Sequence, residues 1–240
     1  VVRQWKRYEH AHRALEVFRF APREETVGEL LSAYDQTHSD GLQEIFALAN
    51  SNFRKGGFFV EFGAHDGIAG SNTWLLETRY GWRGILAEPA RACHDALRQN
   101  RGSHIDTRCI WRESGAQISF SEHTNIVSSG IAATLTRPAA RVSKRHNTRT
   151  YPVETLSLND LLAAHSAPSH IDYLSIDTEG SEFEILDAFD FDRHQFGYLS
   201  VEHHFQSQRE PIHALLTAQG YTRICEEVSG IDDWYVLARG

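Results

Sequence analysis

The segment GGFFVEFGAHDGIAGSNTWLLETRYGWRGILAEP, residues 56–89, decides the fold class. FFVEF (58–62) is a compact apolar run with β-branched and aromatic side chains, which reads as a buried strand. A glycine-containing loop follows, and SNTWLLETRYG (71–81) reads as a helix that stops at glycine. GILAEP (84–89) is a second short strand. Beyond it, ARACHDALRQN (90–100) predicts a helix and TRCIW (107–111) a third strand. Strand, helix, strand, helix, strand is the grammar of a parallel sheet with crossover helices.

The second half repeats that grammar. SLNDLLAAH (157–165) predicts a helix capped by Ser157, with Asp160 three residues on. IDYLSID (171–177) is another buried-strand run. SEFEILDAF (181–189) begins with a Ser181/Glu184 capping box. YLSVEHH (198–204) is the next strand, and PIHALLTAQG (211–220) a helix ending at Gly220. YTRICEE (221–227) and DWYVLAR (233–239), with Gly230 between them, predict an antiparallel hairpin. The expected architecture is α/β: a mostly parallel sheet whose last strand runs backwards.

Outside this frame, residues 1–38 read as a helical arm, with Trp5, Tyr8, Leu15 and Phe18 on one face. LQEIFALAN (42–50) reads as a short helix. Residues 112–150, rich in Ser, Thr, Arg and Gly, read as an irregular insertion or lid in which AQISF (116–120) can form a strand. The chain has 240 residues, 41% hydrophobic and 23% charged, which suits a folded core. Its net charge of −8 argues against a nucleic-acid-coating surface. No apolar run reaches the ~20 residues of a membrane span. Cys93, Cys109 and Cys225 form no CxxC pair, so a reducing cytoplasm is the default. The chain contains no Met and starts with Val, which reads as a trimmed piece.

In open parallel sheets, ligands bind beyond the carboxyl ends of the strands. Those ends carry Glu61 to Gly67, then Glu88 and Pro89, then Asp177 to Gly180, then Glu202, His203 and His204. Four polar ends on one sheet edge make a site. The first loop is not GxGxxG, because His65 holds the middle glycine position. Glu61 and Asp66 disfavour a pyrophosphate and favour a cationic or zwitterionic ligand. Gly63 allows the sharp turn out of the strand, and Gly67 allows backbone to approach a ligand. Glu88, 27 residues after Glu61, suits a ribose diol. An adenosine with a positive centre and no phosphate is S-adenosylmethionine.

Residues 56–89, IDYLSIDTEGSEFEIL (171–186) and VEHHF (201–205) together resemble the FkbM-type S-adenosylmethionine-dependent methyltransferases over about residues 39–240. The resemblance implies a class I methyltransferase fold, with a seven-stranded sheet, an antiparallel last strand and helices on both faces. It implies that Glu61, Gly63 and Asp66 lie near the methionine part of the cofactor. Ser71 and Asn72 would receive its carboxylate at a helix start, and Glu88 its ribose. Adenine would fall near Ile110 and Trp111. Asp177 would face the transfer site.

Methyl transfer to a hydroxyl needs alignment and a base. Asp177 and His203 are the leading bases; His65, Glu179 and His204 are candidate acceptor contacts. A divalent metal, Mg²⁺ or Mn²⁺, on Asp177, Glu202 and His203 is the alternative way to lower the hydroxyl pKa. Neighbouring residues on a strand point to opposite faces, so His203 and His204 share one site only if the strand ends between them. Arg137, Arg141, Lys144, Arg145 and Arg149 form a basic cluster that can bind an anionic group or simply be solvated. The family implies O-methylation of a sugar, glycan or related natural product, by a chain open to self-association. Two other readings stand beside it: a non-catalytic adenosyl- or partner-binding domain of a larger protein, and a nicotinamide-dependent sugar oxidoreductase. The second would need a GxGxxG loop and a Tyr-x-x-x-Lys pair, and neither is present.

Overall fold

A computed structural model describes residues 26–124, 128–135 and 148–238. In chain order the elements are α1 (Val27–Tyr34), α2 (Gln43–Asn50), β1 (Phe58–Phe62), α3 (Trp74–Tyr80), β2 (Arg83–Ala87), α4 (His94–Asn100), β3 (His104–Asp106), β4 (Cys109–Ile110), β5 (Gln117–His123), β6 (Gly130–Ile131), β7 (Thr148–Leu156), α5 (Leu158–Ala164), β8 (His170–Ile176), α6 (Glu182–Asp187), β9 (Gln195–Glu202), α7 (Arg209–Ala218), β10 (Tyr221–Ile224) and β11 (Asp232–Leu237).

Seven strands form one sheet in the order β10-β11-β9-β8-β1-β2-β3. β3, β2, β1, β8 and β9 are parallel to one another. β11 runs antiparallel between β9 and β10. The reversed last strand is therefore an insertion, as the terminal hairpin predicts, and the whole is the class I methyltransferase arrangement. Chain order reverses between β1 and β8, which opens the crevice where such sheets bind ligands.

The central strands are near-continuous apolar runs because both faces are covered. Val60 and Phe62 of β1 face a core built with Leu161 of α5, Ile185 of α6 and Leu216 of α7. Phe59, one residue out of phase, faces the opposite core with Leu30 of α1, Ile45 of α2, Leu76 of α3 and Leu97 of α4. Alternation along one strand thus gives three layers, helices–sheet–helices. Among the described residues no helix is long and apolar enough to cross a membrane.

The third strand differs from expectation. The main sheet takes His104–Asp106, a short edge strand with Ile105 as its one apolar residue, while Cys109–Ile110 pairs with Thr155–Leu156 in a second sheet. That second sheet, ordered β4-β7-β5-β6, makes the described parts of 112–150 more regular than their composition suggests. It closes on a small core of Ala90, Cys93, Cys109, Phe120, Ile131 and Val153. Trp5, Tyr8, Leu15 and Phe18 of the arm, and Arg137, Arg141, Lys144 and Arg145 of the basic cluster, lie outside the described residues; Arg149 is exposed. Cys93, Cys109 and Cys225 are buried.

The capping box at Ser181 does not form, because that side chain caps nothing. Instead buried Glu182 turns back on the preceding loop. Its carboxylate accepts from Thr178 N–H, Thr178 O–H and Gly180 N–H at 3.0, 2.9 and 3.1 Å. At Ser157 the predicted cap is present, accepting from Asp160 N–H at 3.1 Å.

Candidate active site

A cavity of about 460 Å³ opens at the carboxyl ends of β1, β2, β8 and β9. Gly63 sits where the β1 and β8 ends meet. It has φ +78°, and a Cβ there would lie 2.2 Å from the Asp177 carbonyl oxygen, so only glycine fits. Gly67 serves another purpose than the expected ligand approach: a Cβ there would strike Arg101 Cγ at 2.6 Å, so this glycine makes room for a side chain.

The wall combines Gly63, His65 and Asn72 from the first loop with Glu88 and Pro89 after β2 and Ile110 of β4. Asp177 and Glu179 after β8, and Glu202 and His204 at β9, complete the far side. Five expected residues lie elsewhere or turn inward. Glu61 is buried beneath the loop, where its carboxylate accepts Asn72 N–H at 2.7 Å and the hydroxyls of Ser71 and Thr73. Ser71 is spent in the same network, receiving Arg101 Nη1 at 3.0 Å. Asp66 folds onto its own loop, accepting the N–H groups of Ile68 and Ala69 at 2.9 and 2.8 Å. Trp111 does not line the cavity.

His203 is the fifth. Its side chain is 1% exposed, 3.6 Å from Asp233, and Nδ1 accepts Phe205 N–H at 2.9 Å. β9 ends at Glu202, and the chain then turns left-handed at His204 (φ +43°) and Phe205 (φ +56°). That turn sends the second histidine, not the first, into the cavity wall. The metal set of Asp177, Glu202 and His203 is therefore not assembled. The group whose ligand atoms lie within 4.8 Å of one another, among the described residues, is Glu179, Glu202 and His204.

His65 (φ +49°) and Glu179 (φ +58°) share the left-handed backbone of His204. Such conformations cost of order 1–3 kcal/mol each and cluster at functional sites. Glu182 clamps the loop that carries Glu179.

The cavity is strongly acidic. Asp40, Glu88, Asp177, Glu179, Glu202 and Asp232 line it with two histidines, and no described lysine or arginine does. Burial, reinforced by the neighbouring Glu202 carboxylate, holds Asp177 well above the usual carboxylate range. Burial likewise pushes Glu202 up to about 9 and Glu88 up to about 7. It pushes Asp232 up to about 6, against a hydrogen bond from Gln43.

Several lining residues escape sequence reading. Phe120 and Ile131 come from the second sheet, and Asp40, Gly41 and Gln43 from the segment joining α1 to α2. Arg101, which organises the first loop, sits just past α4 with partners 24 to 40 residues earlier in the chain.

Residues 61–223 match the methyltransferase FkbM domain. No curated protein matches the chain. Solved structures resemble it distantly. Precorrin-6y C5,15-methyltransferase from Geobacter metallireducens GS-15 shares 10% identity, with 80% of this chain and 85% of that chain covered and a TM-score of 0.42. A human methyltransferase 10 domain containing protein shares 12%, with 82% and 80% covered and a TM-score of 0.42. A variant of MtNAS in complex with S-adenosylmethionine shares 12%, with 97% and 73% covered and a TM-score of 0.36. The domain match spans more than half of the chain, over the two blocks that form the cavity's edges, so the chain belongs to the FkbM methyltransferase family and is an S-adenosylmethionine-dependent methyltransferase.

Proposed function

We propose that the chain is an O-methyltransferase acting on a hydroxyl of a sugar, glycan or related small natural product. One observation carries this reading: a single cavity joins the Glu88 end of β2 to the Asp177 and Glu202 ends of β8 and β9. Donor and acceptor can therefore lie side by side, out of water.

The residues present fit S-adenosylmethionine. Asn72 donates its amide to Ser175 at 3.0 Å, and its buried Oδ1 has no hydrogen-bond partner. That orphan acceptor suits an ammonium group. Glu88 accepts the backbone N–H groups of His65 and Ala90 at 2.8 and 2.7 Å, one on each oxygen. The carboxylate is thereby fixed, and each oxygen keeps a lone pair for one hydroxyl of a ribose diol. Ile110, Phe120 and Ile131 offer an apolar slot for a purine. When bound, the cofactor supplies a methyl group already activated on a cationic sulfur.

The protein then aligns the acceptor and takes its proton. Asp177 is our base. It lines the cavity at the end of β8, beside the Glu202 carboxylate, where an acceptor hydroxyl can reach it. Glu179, His204 and His65 border the acceptor side. His203, walled off behind Asp233, orients the turn instead. A reducing cytoplasm belongs to the same proposal, since the sequence carries no CxxC pair.

Calorimetric titration with S-adenosylhomocysteine, beside NAD, tests the cofactor assignment. A sugar panel with isotopically labelled methyl donor tests the acceptor class. Binding of the adenosyl ligand alone and label on a hydroxyl oxygen are the expected results. Label on nitrogen or carbon would overturn the acceptor chemistry.

A further inference from the structure

We infer that Glu179, Glu202 and His204 form a divalent-cation site, for Mg²⁺ or Mn²⁺, on the acceptor side of the cavity. The inference rests on the reading above and goes beyond it by naming what holds the acceptor.

Geometry comes first. The three ligand atoms lie within 4.8 Å of one another, and His204 Nδ1 is 3.0 Å from Glu202 Oε1. An octahedral ion with ligands at about 2.1 Å separates adjacent donors by about 3.0 Å and opposite donors by about 4.2 Å. The 3.0 Å between His204 Nδ1 and Glu202 Oε1 matches adjacent octahedral positions. Two carboxylates and one imidazole are a donor set that suits Mg²⁺ and Mn²⁺.

Electrostatics points the same way. Six carboxyl side chains line the cavity, and among the described residues no lysine or arginine lines it. A divalent ion at Glu202, next to Asp177, would place positive charge where the acceptor hydroxyl must lose its proton. Three protein ligands leave open positions on the ion. An acceptor with two adjacent oxygens, such as a vicinal diol, can fill two of them. The competing arrangement is a plain ion pair between His204 and Glu202.

Manganese alone separates the two. Electron paramagnetic resonance of Mn²⁺ titrated into the full chain should report one bound ion. Glu179→Gln and His204→Ala should each weaken it about tenfold or more, on the scale of lost metal contacts. His104→Ala, an exposed histidine outside the cavity, should leave it unchanged. Circular dichroism shows whether each variant is folded, and Glu202→Gln gives a second ligand test should one fail to fold. No bound Mn²⁺, or binding indifferent to the ligand variants, would overturn the site. Titration with S-adenosylhomocysteine in EDTA keeps the two readings apart: cofactor binding without metal binding leaves the methyltransferase assignment standing and removes only the cation.

Discussion

Arg101 Nη1 lies 3.7 Å from Glu61 Oε2, and both side chains are sealed from solvent. The guanidinium also reaches the Thr73 hydroxyl at 2.8 Å, the Gly67 carbonyl at 3.2 Å and Glu77 at 2.9 Å. One cation thus ties the loop after β1 to the start of α3 and to the end of α4. Removing one partner of such a pair leaves an uncompensated buried charge. Arg101→Met should therefore lower stability by about 3–5 kcal/mol in urea unfolding. A loss below 1 kcal/mol would mean that the loop holds itself.

Glu88→Ala should weaken S-adenosylhomocysteine binding by roughly tenfold to a hundredfold, the loss of one charged hydrogen-bonding partner. Thermal unfolding shows whether the fold survives. Unchanged affinity in a folded variant would remove Glu88 from the ribose role.

Asp177→Asn keeps the shape of the side chain and removes the base. The turnover rate should fall roughly 10²–10⁴-fold, with cofactor affinity largely kept. Full turnover would show that another group takes the proton.

The adjacent histidines should behave differently. His203→Ala strips Phe205 N–H of its acceptor inside a packed turn. The expected cost is about 1–3 kcal/mol of stability, with S-adenosylhomocysteine affinity unchanged. His204→Ala should leave stability nearly intact, because its loss touches the cavity wall. Equal destabilisation by the two would contradict the orientation described for the turn.

Stability of the ligand-free protein should also depend on pH in an unusual direction. Glu44 and Glu88 are pushed up to about 7, Asp232 to about 6 and Glu202 to about 9, all by burial. The folded state then holds protons that the unfolded chain releases near pH 4–4.5, its ordinary carboxylate range. Stability from these groups is full below that range and falls as pH rises through 5 to 9. His94, lowered by burial, opposes this below its ordinary value, but as one group against four. Asp233, held low by His203 and Arg209 despite its burial, loses its contribution only in strong acid. Melting temperatures should fall as pH rises from about 5 to 9, and a rise over that interval would contradict the protonated cavity.

Much of the fold is legible because β1, β2, β8 and β9 are buried on both faces and therefore written as apolar runs. β3 is not, since an edge strand of three residues with a single aliphatic side chain has no periodicity to read. Strand ends point to the cavity, but the side-chain directions there are a matter of tertiary structure. Glu61 and Glu88 look alike in sequence. One turns inward to Arg101 and the other stays at the wall. Two left-handed residues after Glu202 choose between His203 and His204, and no propensity announces them. Glu182 is fully buried and clamps a loop, which its place at a helix start does not reveal. Asp232 is held at the site by a hydrogen bond from Gln43, 189 residues earlier.

That last contact bears on how the protein is made. Gln43 donates to Asp232, and both line the cavity. β11 also slots between β9 and β10, so β9 keeps an open edge until residues 232–237 leave the ribosome. The acidic chamber can close only once residues 232–237 have joined the sheet. A nascent chain stalled before residue 232 would carry β1, β2, β8 and β9 with the Asp232 wall of the cavity still missing.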